Sequence, residues 1–303
     1  MKILLIGANG QLGHDLLVAL STHHVLPTAR GASLAGEDRT PIALDVCNTH
    51  EVRATINSFS PDVVVNCSAF HRVDDIEKDA TQALAVNAQA VQQLALACRD
   101  ANAALLHVST DYVFDGEKRA PYTETDLPNP ISAYGASKVA GELLLRAAWH
   151  KHYIVRTCGL YGIAGASGKG GNFVNTMLRL AGENGTSSSG GKTIKVVNDQ
   201  TCTPTFTQDL AQQIAALIET NAFGTYHITS AGATTWHDFA AEIFRLAGIQ
   251  ADLRPTTSAE FNAPARRPAY SVLENAGLQR LGIDHMRDWH DALAEYIQLK
   301  LAG

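Results

Sequence analysis

The chain has 303 residues, 46% of them apolar and 18% charged, with a formal net charge of -6. That length holds one large domain or two modest ones, and the acidic balance excludes the basic footprint of a nucleic-acid or anionic-membrane binder. No apolar run reaches the roughly 18 residues a spanning helix needs, and the apolar stretch closed by Gly7 is too short for a signal-peptide core. Cys47, Cys67, Cys98, Cys158 and Cys202 are odd in number and scattered, which predicts reduced thiols in a cytoplasmic protein, without a disulfide framework or a metal site.

Lys2-Ile3-Leu4-Leu5-Ile6 is an all-apolar run suited to a parallel strand covered on both faces. Gly7-Ala8-Asn9-Gly10-Gln11-Leu12-Gly13 follows at once and opens a helix over His14 to Leu20. A glycine turn between strand and helix is the context of a dinucleotide site. Gly7 allows the tight turn, Gly10 admits a pyrophosphate to the backbone, and Gly13 permits close helix–strand packing. The helix N-terminus offers free N–H groups to the phosphates.

A second strand is expected from His24 to Thr28, although Pro27 fits a paired strand poorly. An acidic residue after this strand would bind the adenosine ribose of NAD, whereas an arginine accepts the 2′-phosphate of NADP. The chain has Ala29-Arg30 and no acid before Glu37, so NADPH is the expected cofactor, with NADH as the alternative. Ile42 to Leu44 reads as a third strand, ending at Asp45-Val46; Asp45 suits either an adenine amino group or the cap of a helix near Thr49. The fourth strand, Asp62 to Asn66, ends in the small residues Cys67-Ser68-Ala69, which let a cofactor pass close by. Asp79-Ala80-Thr81-Gln82 suggests a capping box for one long helix to about Arg99, with Asn87 as its polar exception. Leu105 to Ser109 is the fifth strand. This alternation predicts an α/β fold, a doubly wound parallel (Rossmann) sheet.

Ser109-Thr110-Asp111-Tyr112 leaves the fifth strand at the carboxyl edge of the sheet, where a hydroxyl can meet a substrate carbonyl. Ser132 is a candidate N-cap for the next helix, on which Tyr134 and Lys138 lie one turn apart on one face. A phenol titrates near ~10, and a neighbouring cation favours its ionised form, so the pair can act as a general acid or base.

The glycine turn, the Tyr134–Lys138 pair and the preceding Thr110 together resemble the extended short-chain dehydrogenase/reductase family. The string Ser109 to Gly116, the run Tyr134 to Glu142, Val73-Asp74 with Glu77, Val86-Asn87-Ala88, Asn198-Asp199-Gln200 with Pro204-Thr205, and Arg266-Arg267-Pro268 with Ser271 are similar to its dTDP-4-dehydrorhamnose reductase branch. The resemblance implies reduction of the 4-keto group of a nucleotide-activated deoxy sugar. It makes Tyr134 the proton donor, with Lys138 lowering its pKa and binding the nicotinamide ribose. Thr110 would hydrogen-bond the keto group and Asp111 would touch the sugar. Gly10, Gln11 and Leu12 would line the pyrophosphate, Asp45 and Val46 the adenine, and Cys67, Ser68 and Ala69 the ribose side; Asn87 would either hold a water near Lys138 or be a buried residue that kinks its helix. One departure stands out: after the sixth strand (Tyr153 to Arg156) the chain reads Thr157-Cys158-Gly159, where the branch has a tryptophan that stacks on the sugar.

The second half mixes short strands and helices, as a smaller α/β substrate lobe would. The expected division is 1–162 plus about 193–229 for the Rossmann domain, and about 163–192 and 230–303 for the lobe. Gly182 to Gly191 reads as a surface loop. Arg266, Arg267 and Lys169 are candidates to meet a nucleotide diphosphate. His71, His107 and His227 have no metal spacing and are expected in packing or loop roles. The expected partners are a nucleotide-sugar substrate and, as an option, a second copy of the chain in a homodimer. The rival functions are an epimerase or reductase of another sugar nucleotide, and a non-catalytic NADP-binding regulatory protein.

Overall fold

The computed structural model describes residues 1–31, 41–164, 171–184 and 193–302. Glu37, Lys169 and most of the Gly182–Gly191 stretch lie outside the described residues. Strands β1 (Lys2–Ile6), β2 (His24–Ala29), β3 (Ile42–Ala43), β4 (Val63–Asn66), β5 (Ala104–Thr110) and β6 (His152–Thr157) join Gly224–His227 in one seven-stranded sheet. All pairs are parallel, in the order Gly224–His227, β6, β5, β4, β1, β2, β3. The order reverses between β1 and β4, and a doubly wound sheet binds ligands in the crevice at that reversal.

Period-two alternation divides β1 between two cores. Ile3 and Leu5 pack with Leu12 and Leu16 of helix α1 (Gln11–Ala19) and with Leu210 and Ile214 of the helix Thr207–Ile218. Leu4 and Ile6 face Val52 and Ile56 of helix α2 (Thr49–Phe59) and Leu94 of the helix Ala90–Asp100. Each fully buried Leu or Ile contributes about 1.5–3 kcal/mol, and both faces are covered, so the strand tolerates no polar side chain.

Pro27 is paired in β2 opposite Leu5. The Thr28 carbonyl accepts from Gly7 and Ala8 on the β1 side. Its neighbour therefore turns to the other edge, where β3 pairs only from Thr28 onward. Among the described residues, the missing N–H of Pro27 faces no strand.

Three local expectations change. Asp45 does not cap α2: its carboxylate accepts from Cys47 N at 2.9 Å, and Asn48 accepts from Glu51 N. Asp79 is not a helix cap either, since it accepts from Thr81 N two residues on, an Asx turn. The single long helix is Thr81–Leu84, a wide π-type turn over Ala85–Gln89, and Ala90–Asp100. At that turn Asn87 is fully buried; its side chain accepts from Phe70 N at 2.8 Å and donates to Phe70 O and Ser137 Oγ. Its amide is spent on protein partners at a distorted turn, the buried helix-kinking reading of this residue. A Cβ on Gly141 would run into the Asn87 carbonyl, which explains a glycine on the facing helix.

Beyond β6 a separate aromatic core gathers Tyr161, Phe206, Phe239, Trp289 and Tyr296. Beside it Leu253–Thr256 pairs in parallel with Ile194–Val197. Gln11 reaches across to this side, where its Oε1 accepts from Gly162 N at 3.0 Å and Asn172 Nδ2 at 2.9 Å.

Candidate active site

The crevice is built from the carboxyl ends of β1, β4 and β5. Gly7 turns the chain at φ +87°, and a Cβ there would meet the backbone of Cys67 and Ser68 at 3.3 Å. On Gly13 a Cβ would collide with the Gly7 carbonyl, so only glycine lets α1 start this close to β1. Gly10 caps α1 without a side chain, leaving the first-turn N–H groups of Gln11, Leu12 and Gly13 to point into the crevice. This cradle fits a dinucleotide diphosphate. Arg30 is exposed just past β2, Val46 is buried and Asp45 half-buried beside it, and Cys67, Ser68 and Ala69 are half-buried past β4. Burial pushes the Cys67 thiol up to about 12, so it is a neutral wall of the site and not a nucleophile.

Across the crevice, Thr110 ends β5. Its Oγ1 accepts from Tyr112 N at 3.2 Å and donates to Asp111 Oδ1 at 3.0 Å. Ser109 turns the other way and donates to Glu142 at 2.6 Å, leaving Thr110 as the hydroxyl on the crevice side. Asp111 is buried and also accepts from Cys158 Sγ at 3.1 Å. Burial raises its carboxyl above the usual range, opposed by the hydrogen bonds of Ser271, Cys158 and Thr110.

Ser132 caps the helix Ala133–Ala148 as expected, accepting from Gly135 N at 3.1 Å. This places Tyr134 in the first turn, half-buried, with its ring edge-on to Tyr112 at 5.6 Å. Burial holds the Tyr134 phenol above its ordinary value, Asp111 adds to this, and the Thr110 hydroxyl opposes it. Lys138, one turn on, is 1% exposed. Its Nζ donates to the Val108 carbonyl at 2.7 Å and lies 3.1 Å from His107 Nε2. The expected action of the ammonium on the phenol is not seen in this geometry, because Nζ is turned onto β5. Burial lowers Lys138 to about 8, with Glu142 acting in the opposite direction.

The structure thus gathers Thr110, Asp111, Tyr134 and Lys138 opposite the glycine cradle. Arg266 is exposed, and Arg267 spends its guanidinium on Asp74 at 3.0 and 3.1 Å. Two features were not legible beforehand. His107 sits beneath Lys138, 31 residues away in sequence. Glu142 pairs with Arg156 of β6 through bonds of 3.0 and 2.6 Å, a fully buried ion pair under the site. Glu142 falls four residues after Lys138, and that helical spacing was the available signal. Gly159 adopts φ +57°, and a Cβ there would lie 3.1 Å from Pro204 Cα and 3.3 Å from the Trp236 ring. The missing side chain is therefore faced by Trp236, itself packed on Phe173 at 4.7 Å. Among the described residues, no group of three or more His, Cys, Asp or Glu side chains could hold a metal ion, and no helix is long and apolar enough to cross a membrane.

A curated relative, the dTDP-4-dehydrorhamnose reductase of Streptomyces griseus, is 40% identical over 299 residues, covering 96% of this chain and 91% of its own. The dTDP-4-keto-6-deoxy-D-glucose reductase of Streptomyces niveus is 39% identical over 298 residues, covering 98% and 96%. The solved dTDP-4-dehydrorhamnose reductase of Bacillus anthracis in complex with NADP superimposes with a TM-score of 0.87 at 34% identity, over 98% of this chain and 99% of that one. The family described as the RmlD substrate binding domain matches residues 1–301. With the glycine cradle and the Tyr134–Lys138 helix in place, the chain belongs to that family, the RmlD-type sugar-nucleotide reductases.

Proposed function

We propose that the protein reduces the 4-keto group of a dTDP-linked deoxyhexose at the expense of NADPH, with dTDP-4-dehydro-L-rhamnose as the first substrate to test. The observation that carries this reading is the convergence of Thr110 and Tyr134 on the crevice facing the Gly7–Gly13 cradle. The backbone of Gly10, Gln11 and Leu12 would hold the diphosphate, Arg30 the 2′-phosphate, Asp45 and Val46 the adenine, and Cys67, Ser68 and Ala69 the ribose side. When bound, the dinucleotide would supply a hydride to the carbonyl carbon. Tyr134 gives its proton to the carbonyl oxygen, so ketone, hydride and proton together make the alcohol. A phenol held protonated by burial suits a donor, because the reduction consumes a proton at this atom. Thr110 orients the carbonyl by a hydrogen bond, and Lys138 serves the nicotinamide ribose. Residues 1–162 with about 193–229 would form the dinucleotide domain. The lobe of about 163–192 and 230–303, with exposed Arg266 at its edge, would close on the sugar nucleotide.

A second reading keeps the chemistry and changes the sugar. Gly159 motivates it, since the branch's aromatic platform is absent there, and relatives at near-equal identity carry different keto-sugars in their names. NADPH oxidation with each dTDP-keto-sugar separates the two. Full turnover retained by Tyr134→Phe would sink the assigned mechanism.

A further inference from the structure

His107 is buried beneath Lys138 at the end of a fixed chain of hydrogen bonds. The Ser68 backbone N–H donates to Asn66 Oδ1 at 3.0 Å, and Ser68 Oγ meets the same oxygen at 2.5 Å. A backbone N–H can only donate, so this contact settles which end of the Asn66 amide is oxygen. Asn66 Nδ2 then points at His107 Nδ1, 3.2 Å away, and as a donor it requires that nitrogen to accept. His107 is uncharged, because burial holds it well below its ordinary pKa. A neutral imidazole carries one N–H, and with Nδ1 accepting, that hydrogen is on Nε2. Nε2 faces Lys138 Nζ at 3.1 Å, and Nζ donates onward to the Val108 carbonyl. Every donor in the series meets an acceptor only when the Lys138 nitrogen has a lone pair to offer. A charged ammonium would set N–H against N–H at His107, or, with the ring tautomer exchanged, at Asn66.

We infer that His107, oriented by Asn66, is a positioning residue that favours the neutral amine of Lys138 in the chain alone, so that at alkaline pH dinucleotide binding takes up a proton at Lys138. This rests on the function proposed above only for the identity of the ligand. The other groups around Nζ are Cys67 past β4, neutral by burial; Tyr134 on the same helix, also neutral; and Glu142, whose carboxylate is held by Arg156 and Ser109. Glu142 favours the ammonium from a distance, but none of these groups is hydrogen-bonded to Nζ, whose partners are His107 and Val108. A ribose diol favours the ammonium: with one N–H kept on Val108, it still offers two donors to the two hydroxyl oxygens, whereas the amine offers one. Moving Nζ from His107 onto the diol restores the conditions for the charged form, and the proton comes from solvent.

Two measurements test this. In the first, ¹⁵N-histidine NMR of the cofactor-free protein at pH 9, with His107 assigned by loss of its signals in His107→Gln, should show an unprotonated Nδ1 and a protonated Nε2. A protonated Nδ1 would overturn the inference. In the second, calorimetry of NADPH binding at pH 9 in buffers of different ionisation heat should show uptake of on the order of one proton, shrinking several-fold at pH 7 where the amine is already protonated in solution. His107→Leu, which removes the donor, should at least halve the uptake at pH 9, while His107→Gln, whose amide can still donate, should preserve most of it. NADPH binding without proton uptake at pH 9 overturns the inference. Failure of NADPH to bind would instead sink the functional reading, and the tautomer measurement would still decide this one.

Discussion

Glu142 and Arg156 meet as a two-bonded ion pair beneath the site, both side chains about 1% exposed, with Ser109 donating a third hydrogen bond to the same carboxylate. The pair clamps the Tyr134 helix to β5 and β6 at once. Breaking a buried pair leaves an uncompensated charge, which costs about 3–5 kcal/mol. Glu142→Gln and Arg156→Met should each lower stability by that order in urea unfolding. The double variant Glu142→Leu with Arg156→Met should recover part of the loss. Additive losses would show that the two charges are not coupled.

Tyr134→Phe removes the donated proton and leaves the ring packed on Tyr112. A drop in kcat of about 10²–10⁴-fold is expected with the NADPH dissociation constant nearly unchanged. Thr110→Val should lower kcat less, since it removes a hydrogen bond and not the proton. Equal losses in both variants would argue against these separate roles.

His227 sets a pH dependence of stability. It is buried, donates from Nδ1 to the Tyr122 carbonyl at 3.0 Å and lies near Arg156, and burial followed by that charge lowers its pKa from 6.5 to about 3. The folded state therefore stays neutral while the unfolded chain takes up a proton below 6.5. Stability is full above pH 6.5 and falls toward pH 3 by about 1.4 kcal/mol per unit from this group. His227→Gln should flatten that slope between pH 6 and 4 in thermal melts.

The packing and loop reading of the histidines holds for His227 and falls short for His107, and the difference is physical. His227 bonds a carbonyl, which any buried imidazole does. His107 meets a lysine from a distant helix, and nothing in Leu105-Leu106-His107-Val108 signals that approach. The strand–glycine–helix start was legible because it is contiguous, and Thr110, Tyr134 and Lys138 because a helical turn and a strand end fix their spacing. The wide turn at Asn87 depends on bonds to Phe70 and Ser137, so no local periodicity announces it. The strand Leu253–Thr256 was hidden by Pro255, which sits in a two-stranded edge ladder.

Gly159 gives a specificity prediction. Its positive φ costs a side chain about 1–2 kcal/mol, and Pro204 and Trp236 crowd the Cβ. Gly159→Trp should therefore destabilise the fold and fail to improve kcat/KM for any dTDP-keto-sugar. An improvement would mean that the loop relaxes to admit the ring.

Gln11 gives the cofactor cradle a mechanical role. Its backbone begins the helix that would face the diphosphate, while its side chain holds Gly162 and Asn172, residues 151 and 161 positions further along. These two contacts tie the helix of the cradle directly to the wall built by Gly162 and Asn172. The enzyme should therefore show an obligatory order of addition, dinucleotide first, and Gln11→Ala should relax that order toward random without touching a reacting atom.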